Sequence, residues 1–274
     1  MTSSLSIDNS KRKGSLIVAG SGMTVGQFTQ ETVKYIKMAD SVPYCVADPV
    51  TERYIKSLNH NSEDLFHFYS DSKPRIQTYR EMVGRILDIV CTGKNVCTVF
   101  YGHPGVFVYA GHKAIERLRE DGYEAWMLPA VSSLDCMFSD LGIDPAWDGC
   151  HIFEATQFLT RARRPDVNVG LILLQVGALG DAGFKSRGFD GRYVPILVSY
   201  LEKFYDGNHE LVVYQAAQFS VSKPLIRIVR LKDLAAGADV GVCTVYVPPI
   251  ERAQVDKEMV QRFFNSGIVS ESTK

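Results

Sequence analysis

The chain has 274 residues, a formal net charge of −1, 46% hydrophobic residues and 22% charged residues. This is the composition of a globular protein large enough for one large or two small domains. The near-zero charge creates no global field for nucleic acid or anionic membranes. It contains no apolar stretch of about 18 residues that could span a bilayer.

The N-terminus lacks the apolar core of a secretory signal, so a cytoplasmic location is expected. Residues 1–13 are polar and read as a disordered tail. Basic clusters at Lys11-Arg12-Lys13 and at Arg161, Arg163 and Arg164 read as solvated surface. The six cysteines form no CxxC, and most sit in apolar runs, as small hydrophobes do in a reducing compartment. The histidines show no HxH or HxxxH spacing, so no metal site is expected.

In chain order, residues 15–19 form a first apolar strand, followed by Gly20-Ser-Gly22 and a helix reaching about residue 40. Residues 42–46 form a second strand, ending at Ala47-Asp48-Pro49, and a short helix follows near 51–58. The aromatic stretch Leu65-Phe-His-Phe-Tyr69 precedes a helix over 79–90. Asn95 to Phe100 is a buried β-branched strand running into Tyr101-Gly-His-Pro-Gly-Val-Phe-Val108, then a helix over 110–120. A strand at 124–128 ends at Pro129. Strands alternating with helices imply an α/β fold with a largely parallel sheet.

Beyond residue 130 the pattern changes. An apolar strand at 169–176 leads into a Gly-rich loop over 177–192 that carries basic and aromatic residues. A helix is expected at 194–205, then strands at 211–214, 225–231 and 242–247. The alternation Ile226-Arg-Ile-Val-Arg-Leu231 suits a half-exposed antiparallel strand. The expected organisation is a tail at 1–13, an α/β domain at 14–130, a second α/β domain with a mixed or antiparallel sheet at 131–249, and a helix and tail at 250–274. Val255, Met259 and Phe263 would form an apolar stripe on a helix over 251–264, either docking a second copy or packing back on its own domain.

A turn rich in Gly and Pro after a buried strand is where open α/β sheets bind ligands. Gly102 and Gly105 would let a ligand approach the backbone, and Pro104 stiffens the turn. Gly20-Ser-Gly22 with Gly26 is a weak match to a dinucleotide fingerprint, its third Gly misplaced. Asp48 sits where a ribose-binding acid would, and also reads as a plain helix cap.

Taken in order, Gly20-Ser-Gly22, Tyr101-Gly-His-Pro-Gly-Val106 and Leu128-Pro-Ala-Val-Ser-Ser133 resemble the tetrapyrrole methylase fold of class III S-adenosylmethionine methyltransferases. The resemblance covers about residues 14–249 and implies a two-domain α/β enzyme with S-adenosylmethionine in the interdomain cleft. Asp64-Leu-Phe-His-Phe-Tyr69, Arg75-Ile-Gln-Thr-Tyr79, Asp140-Leu-Gly-Ile-Asp-Pro145, Phe153-Glu-Ala-Thr-Gln-Phe158, Leu174-Gln-Val-Gly177 and Val245-Tyr-Val-Pro-Pro249 narrow it. They are similar to the borosin peptide α-N-methyltransferases, which methylate backbone amides of a ribosomally made precursor peptide.

That resemblance places Tyr69, Arg75 and Tyr79 at catalytic positions. It places Tyr101, His103, Val106, Phe107, Ser132, Ser133, Gln175, Gln215, Ala216 and Thr244 against the cofactor. Some relatives have a further tyrosine where this chain has Phe66. Arg75 and Tyr79 are four apart and share a helix face; a guanidinium beside a tyrosine would favour its anion. The resemblance also implies a homodimer, with a heterotetramer including the precursor as a further form. The short polar segment after Phe264 leads to the expectation of a precursor acting in trans. The competing readings are a methylase of porphyrinoids or other small molecules, and an inert binding subunit with the same fold.

Overall fold

A computed structural model describes residues 13–46, 48–236 and 242–263. The expected tail lies, apart from Lys13, outside the described residues, as do Phe264 and all that follows it. The first sheet has five parallel strands: β1 (Ser15–Gly20), β2 (Val42–Cys45), β3 (Ser62–Asp64), β4 (Asn95–Phe100) and β5 (Glu124–Met127), ordered β3-β2-β4-β1-β5. Around it run α1 (Gln30–Met38), α2 (Pro49–Leu58), α3 (Arg75–Cys91) and α4 (Tyr109–Glu120).

The period of two along β1 explains the layering. Leu16 and Val18 join Met82 and Ile86 of α3 and Ala114 and Leu118 of α4 in one buried cluster. Ile17 and Ala19 point the other way, into a cluster with Ile36 of α1 and Ile55 of α2. A strand buried on both faces reads as a continuous apolar run, which is how β1 and β4 stand out in the sequence. Asp48 caps α2, its carboxylate accepting the amides of Val50 (2.9 Å) and Thr51 (2.8 Å).

The second sheet is mixed, with order β6-β7-β10-β8-β9: β6 (Cys150–Glu154), β7 (Gly170–Leu174), β8 (Glu210–Gln215), β9 (Leu225–Arg230) and β10 (Thr244–Val247). β6 and β7 are parallel, β7 and β10 antiparallel. Its core joins Leu171, Leu173, Val245 and Val247 to Phe158 of α7 (Ala155–Thr160) and to Val194, Leu197 and Leu201 of α8 (Val194–Leu201).

Contacts divide the chain into one unit of residues 1–143, 180–190 and 214–227, and a second of 144–179, 191–213 and 228–274. The Gly-rich loop expected at 177–192 thus contributes its central part to the first unit.

Several local expectations change. β3, α5 (Ser133–Leu141), α6 (Pro145–Asp148), β6 and α7 are additional elements. β3 is the polar triplet Ser-Glu-Asp and lacks any apolar signal. β9 is half exposed as expected, yet the partly covered side chains are Arg227 and Val229, whereas Ile226 and Ile228 face solvent. At the sheet edge only one face of the strand is covered. The C-terminal helix α9 is shorter than expected, Lys257–Phe263. Val255 precedes the helix, so the expected three-residue stripe does not form on it; Val255, Met259 and Phe263 are 65%, 42% and 73% exposed. Cys91 is exposed rather than buried.

Candidate active site

Three loops at the carboxyl ends of β1, β4 and β5 are joined through glycine. Gly22 and Gly102 form an antiparallel bridge, each amide donating to the other's carbonyl (3.3 and 3.0 Å). Both lie at φ +69°, where a side chain is strained. A Cβ on Gly20 would stand 2.2 Å from the Gly102 carbonyl oxygen and 2.6 Å from the Ala130 Cβ. The amide of Gly105 donates to Nδ1 of His103 at 2.9 Å. These glycines therefore join loop to loop, and the amides of Gly102 and Gly105 have partners within the protein.

Of the expected cofactor residues, Tyr101, His103, Val106 and Phe107 lie together on the β4 loop. The half-buried Tyr101 neighbours Cys136 and Asp48, and burial pushes its phenol up to about 12, with both neighbours adding to the effect. His103 accepts through Nδ1, so in neutral form its Nε2 is the remaining donor. Nε2 of His112 donates to the Gly105 carbonyl at 3.0 Å and holds the loop from α4. Phe107 adopts φ +59° although not glycine, with its ring half exposed; backbone strain of this kind concentrates at functional sites.

Ser132 is buried as the N-cap of α5. Its hydroxyl accepts the amides of Leu134 and Asp135 and donates to the Asp135 carboxylate at 2.7 Å. Ser133 opens the helix beside it. Tyr214, electrostatically coupled to Tyr101 and Cys136, donates to Asp140 at 2.7 Å. It brings the following Gln215 and Ala216 into the same unit. Gln175 (φ +59°) and Thr244 belong to the second unit, at the end of β7 and the start of β10.

The expected catalytic residues converge. Arg75 opens α3, and one turn later Tyr79 follows on the same face. The Tyr69 and Tyr79 rings meet edge to face, 6.3 Å apart at 89°. Burial raises the Tyr69 phenol well above the ordinary tyrosine range, the charges of Tyr79 and Cys45 and a hydrogen bond with Tyr79 add to this, and Arg75 only partly opposes it. At Tyr69 desolvation outweighs the one partly exposed charge of Arg75. Burial thus favours the protonated phenol at Tyr69.

Further aromatic residues, not anticipated from the sequence, complete the cluster. Tyr109 stacks on Tyr79 at 6.1 Å, and Phe184 lies 4.8 Å from Tyr69 and 5.8 Å from Phe66. Nη2 of Arg75 donates to the Asp181 carbonyl at 2.6 Å, and the Phe189 ring centroid lies 5.6 Å from its Cζ. No periodicity marks Phe184 and Phe189, because the 180–190 segment has no helix or extended strand; the aromatic content of that loop was the available signal.

Residues 15–217 match the family of Tetrapyrrole (Corrin/Porphyrin) Methylases. The chain belongs to the tetrapyrrole methylase family. In keeping with this family, its fold is shared with uroporphyrin-III-C-methyltransferase from Thermus thermophilus (TM-score 0.60, 16% identity, 86% of this chain and 93% of that one). A cobalamin-biosynthetic cobalt precorrin-4 methyltransferase gives a TM-score of 0.61 at 16% identity, over 85% of this chain and 94% of that one. At this identity the likeness concerns fold alone.

Sequence relatives are nearer. The chain is 42% identical over 255 residues to a methyltransferase/ribosomally synthesized cyclic peptide dendrothelin A precursor from Dendrothele bispora, covering 91% of this chain and 61% of the relative. It is 40% identical over 256 residues to the corresponding omphalotin A precursor of Omphalotus olearius, covering 92% and 61%. A type III borosin cyclic peptide precursor from Anomoporia bombycina is 42% identical over 243 residues, 87% of this chain and 28% of the relative. The chain thus spans 61% or less of the length of these three relatives.

Proposed function

We propose that the protein transfers methyl groups from S-adenosylmethionine to backbone amide nitrogens of a ribosomally made precursor peptide. Membership of a methylase family supports methyl transfer, and the names of the relatives support a peptide acceptor. The observation that carries the reading is the convergence of Arg75, protonated Tyr69 and Tyr79 in one aromatic cluster.

A backbone amide N–H is barely acidic, and its lone pair is delocalised into the carbonyl. Its methylation requires loss of the proton and stabilisation of the imidate oxygen that develops. Arg75 suits the second task, because its hydrogen-bond partner is a neutral carbonyl, which orients the guanidinium without cancelling its charge. Tyr69 adds an O–H donor toward the same oxygen. Tyr79, on the same helix face, is assigned the base: as its tyrosinate it would take the nitrogen's proton and end as the phenol. When bound, S-adenosylmethionine supplies an electrophilic methyl group on a sulfonium. The half-buried Tyr101 ring and the exposed Phe107 ring suit such a cation. His103, Val106, Ser132, Ser133, Gln215 and Ala216 extend that set within the first unit.

The test is incubation with S-adenosylmethionine and precursor peptides encoded beside the gene, followed by mass spectrometry. Successive methyl additions to the peptide are expected, and a peptide left unmodified while a porphyrinoid is methylated would overturn the reading. A precursor supplied in trans is part of the proposal; methylation confined to the protein's own polypeptide would refute that part. Tyr101→Ala should abolish cofactor binding in calorimetry, and undiminished affinity would displace the site. The exposed apolar residues Val255, Met259 and Phe263 support a homodimer, which light scattering at micromolar concentration checks.

A further inference from the structure

We infer that the 181–189 segment is a positioning element for the proposed chemistry: Phe184 seats the ring of Tyr69, and the Asp181 carbonyl with the Phe189 ring fixes the guanidinium of Arg75. The inference rests on the peptide-methylation reading for what the positioned groups do.

The segment is tied to residues 71–75 at several points. Pro74 and Gly183 form an antiparallel bridge, and the Arg75 amide donates to the Ala182 carbonyl at 2.9 Å. The Asp71 carboxylate accepts the amide of Ser186 at 2.8 Å and its hydroxyl at 2.6 Å. Within the segment, Asp181 accepts the Gly183 amide at 2.9 Å and pairs with Lys185 at 3.6 Å, closing the turn on itself. The Asp181 carbonyl is thus held in place before it receives Arg75.

Two consequences follow for the reacting groups. A free arginine side chain loses substantial rotamer entropy when it is fixed. Fixing its fork beforehand removes that cost from the transition state, where preorganised charge acts most strongly. Phe184 meets Tyr69 at 34°, and Phe66 meets it from a second direction at 5.1 Å, so two rings restrict the phenol. Phe184 also contributes to the burial that keeps Tyr69 protonated. Rings that only filled a core would have no reason to be arranged around one guanidinium and one phenol.

The test uses the full chain with Phe184→Leu and Phe189→Leu, which keep apolar bulk, and Phe189→Tyr, which restores a ring. The rate of a single turnover at saturating cofactor and precursor peptide is compared with the affinity for each. The leucine variants should lose about 10-fold to 100-fold in rate, the range expected of a misplaced catalytic group, while both affinities change little and Phe189→Tyr stays near wild type. Unchanged rates, or losses matched by weaker peptide binding, would overturn the inference. If a leucine variant fails to fold, Ser186→Ala loosens the clamp at the surface and is held to the same criteria. Independently of turnover, the 13Cζ resonance of Tyr69 at neutral pH should move in Phe184→Leu relative to wild type, because a ring packed 4.8 Å away is removed; an unmoved resonance would show that Phe184 does not cover Tyr69 and would overturn the inference. If wild type methylates no peptide, the peptide reading falls and the NMR comparison alone decides whether the segment seats Tyr69.

Discussion

At the scale of single residues, the candidate chemistry depends on environments that residue type does not reveal. Tyr69 and Tyr79 are both tyrosines near Arg75, yet burial holds the Tyr69 phenol in its protonated form, which suits it to donate rather than to accept a proton. In the proposed mechanism Tyr79 takes the acceptor role. Tyr79→Phe should therefore fold and bind S-adenosylmethionine as wild type does, while its methylation rate falls about 10²–10³-fold, the scale of losing one group that acts in the transition state. Parallel calorimetry and rate measurements check this, and near-wild-type turnover would exclude Tyr79 as the proton acceptor. Arg75 and Tyr79 could be placed together from their spacing of four. Phe184 and Phe189 could not, since they lie about 100 residues away and meet them only through long-range folding.

At the scale of elements, the loops after β1, β4 and β5 form one assembly. Each was legible in the sequence as a Gly- or Pro-bearing turn after an apolar strand. Their mutual contacts were not, because the Gly22–Gly102 bridge depends on β1 and β4 being adjacent in the sheet. Gly20 shows the consequence, since the space for a Cβ is filled by the Gly102 carbonyl and by Ala130. Gly20→Ala should destabilise the protein by about 1–3 kcal/mol, as overpacking does, and should weaken cofactor binding by displacing the Tyr101 loop. Denaturant titration and calorimetry measure the two effects; a variant with unchanged midpoint would show that the loops can separate freely.

At the scale of the whole molecule, buried phenols set a limit on alkaline stability. Burial raises Tyr101 and Tyr205 to about 12, and it raises Tyr69 and Tyr214 as well. The folded state then holds protons that the unfolded chain releases near the ordinary tyrosine value of about 10. Each group costs nothing below that pH, and stability falls as pH rises above it, by at most about 1.4 kcal/mol per pH unit per group. Chemical denaturation between neutral pH and the alkaline range should show a flat region and then a decline beginning near pH 10. Tyr205→Phe should make that decline shallower, and an unchanged slope would remove Tyr205 from the account.

The sequence by itself determined the α/β class, most strands of the parallel sheet, the family resemblance and the placement of Arg75 and Tyr79 on one helical turn. The family resemblance rests on the ordered motifs; the rest follows from local physics: apolar runs buried on both sheet faces, helical spacing, and turn residues at strand ends. Only the tertiary structure decided that the glycines bind loop to loop, that burial raises the Tyr69 phenol, and that residues 180–190 reach back to Tyr69 and Arg75. Each of those depends on burial and on pairing between segments distant in the chain, and neither leaves a periodic trace in the residues that take part.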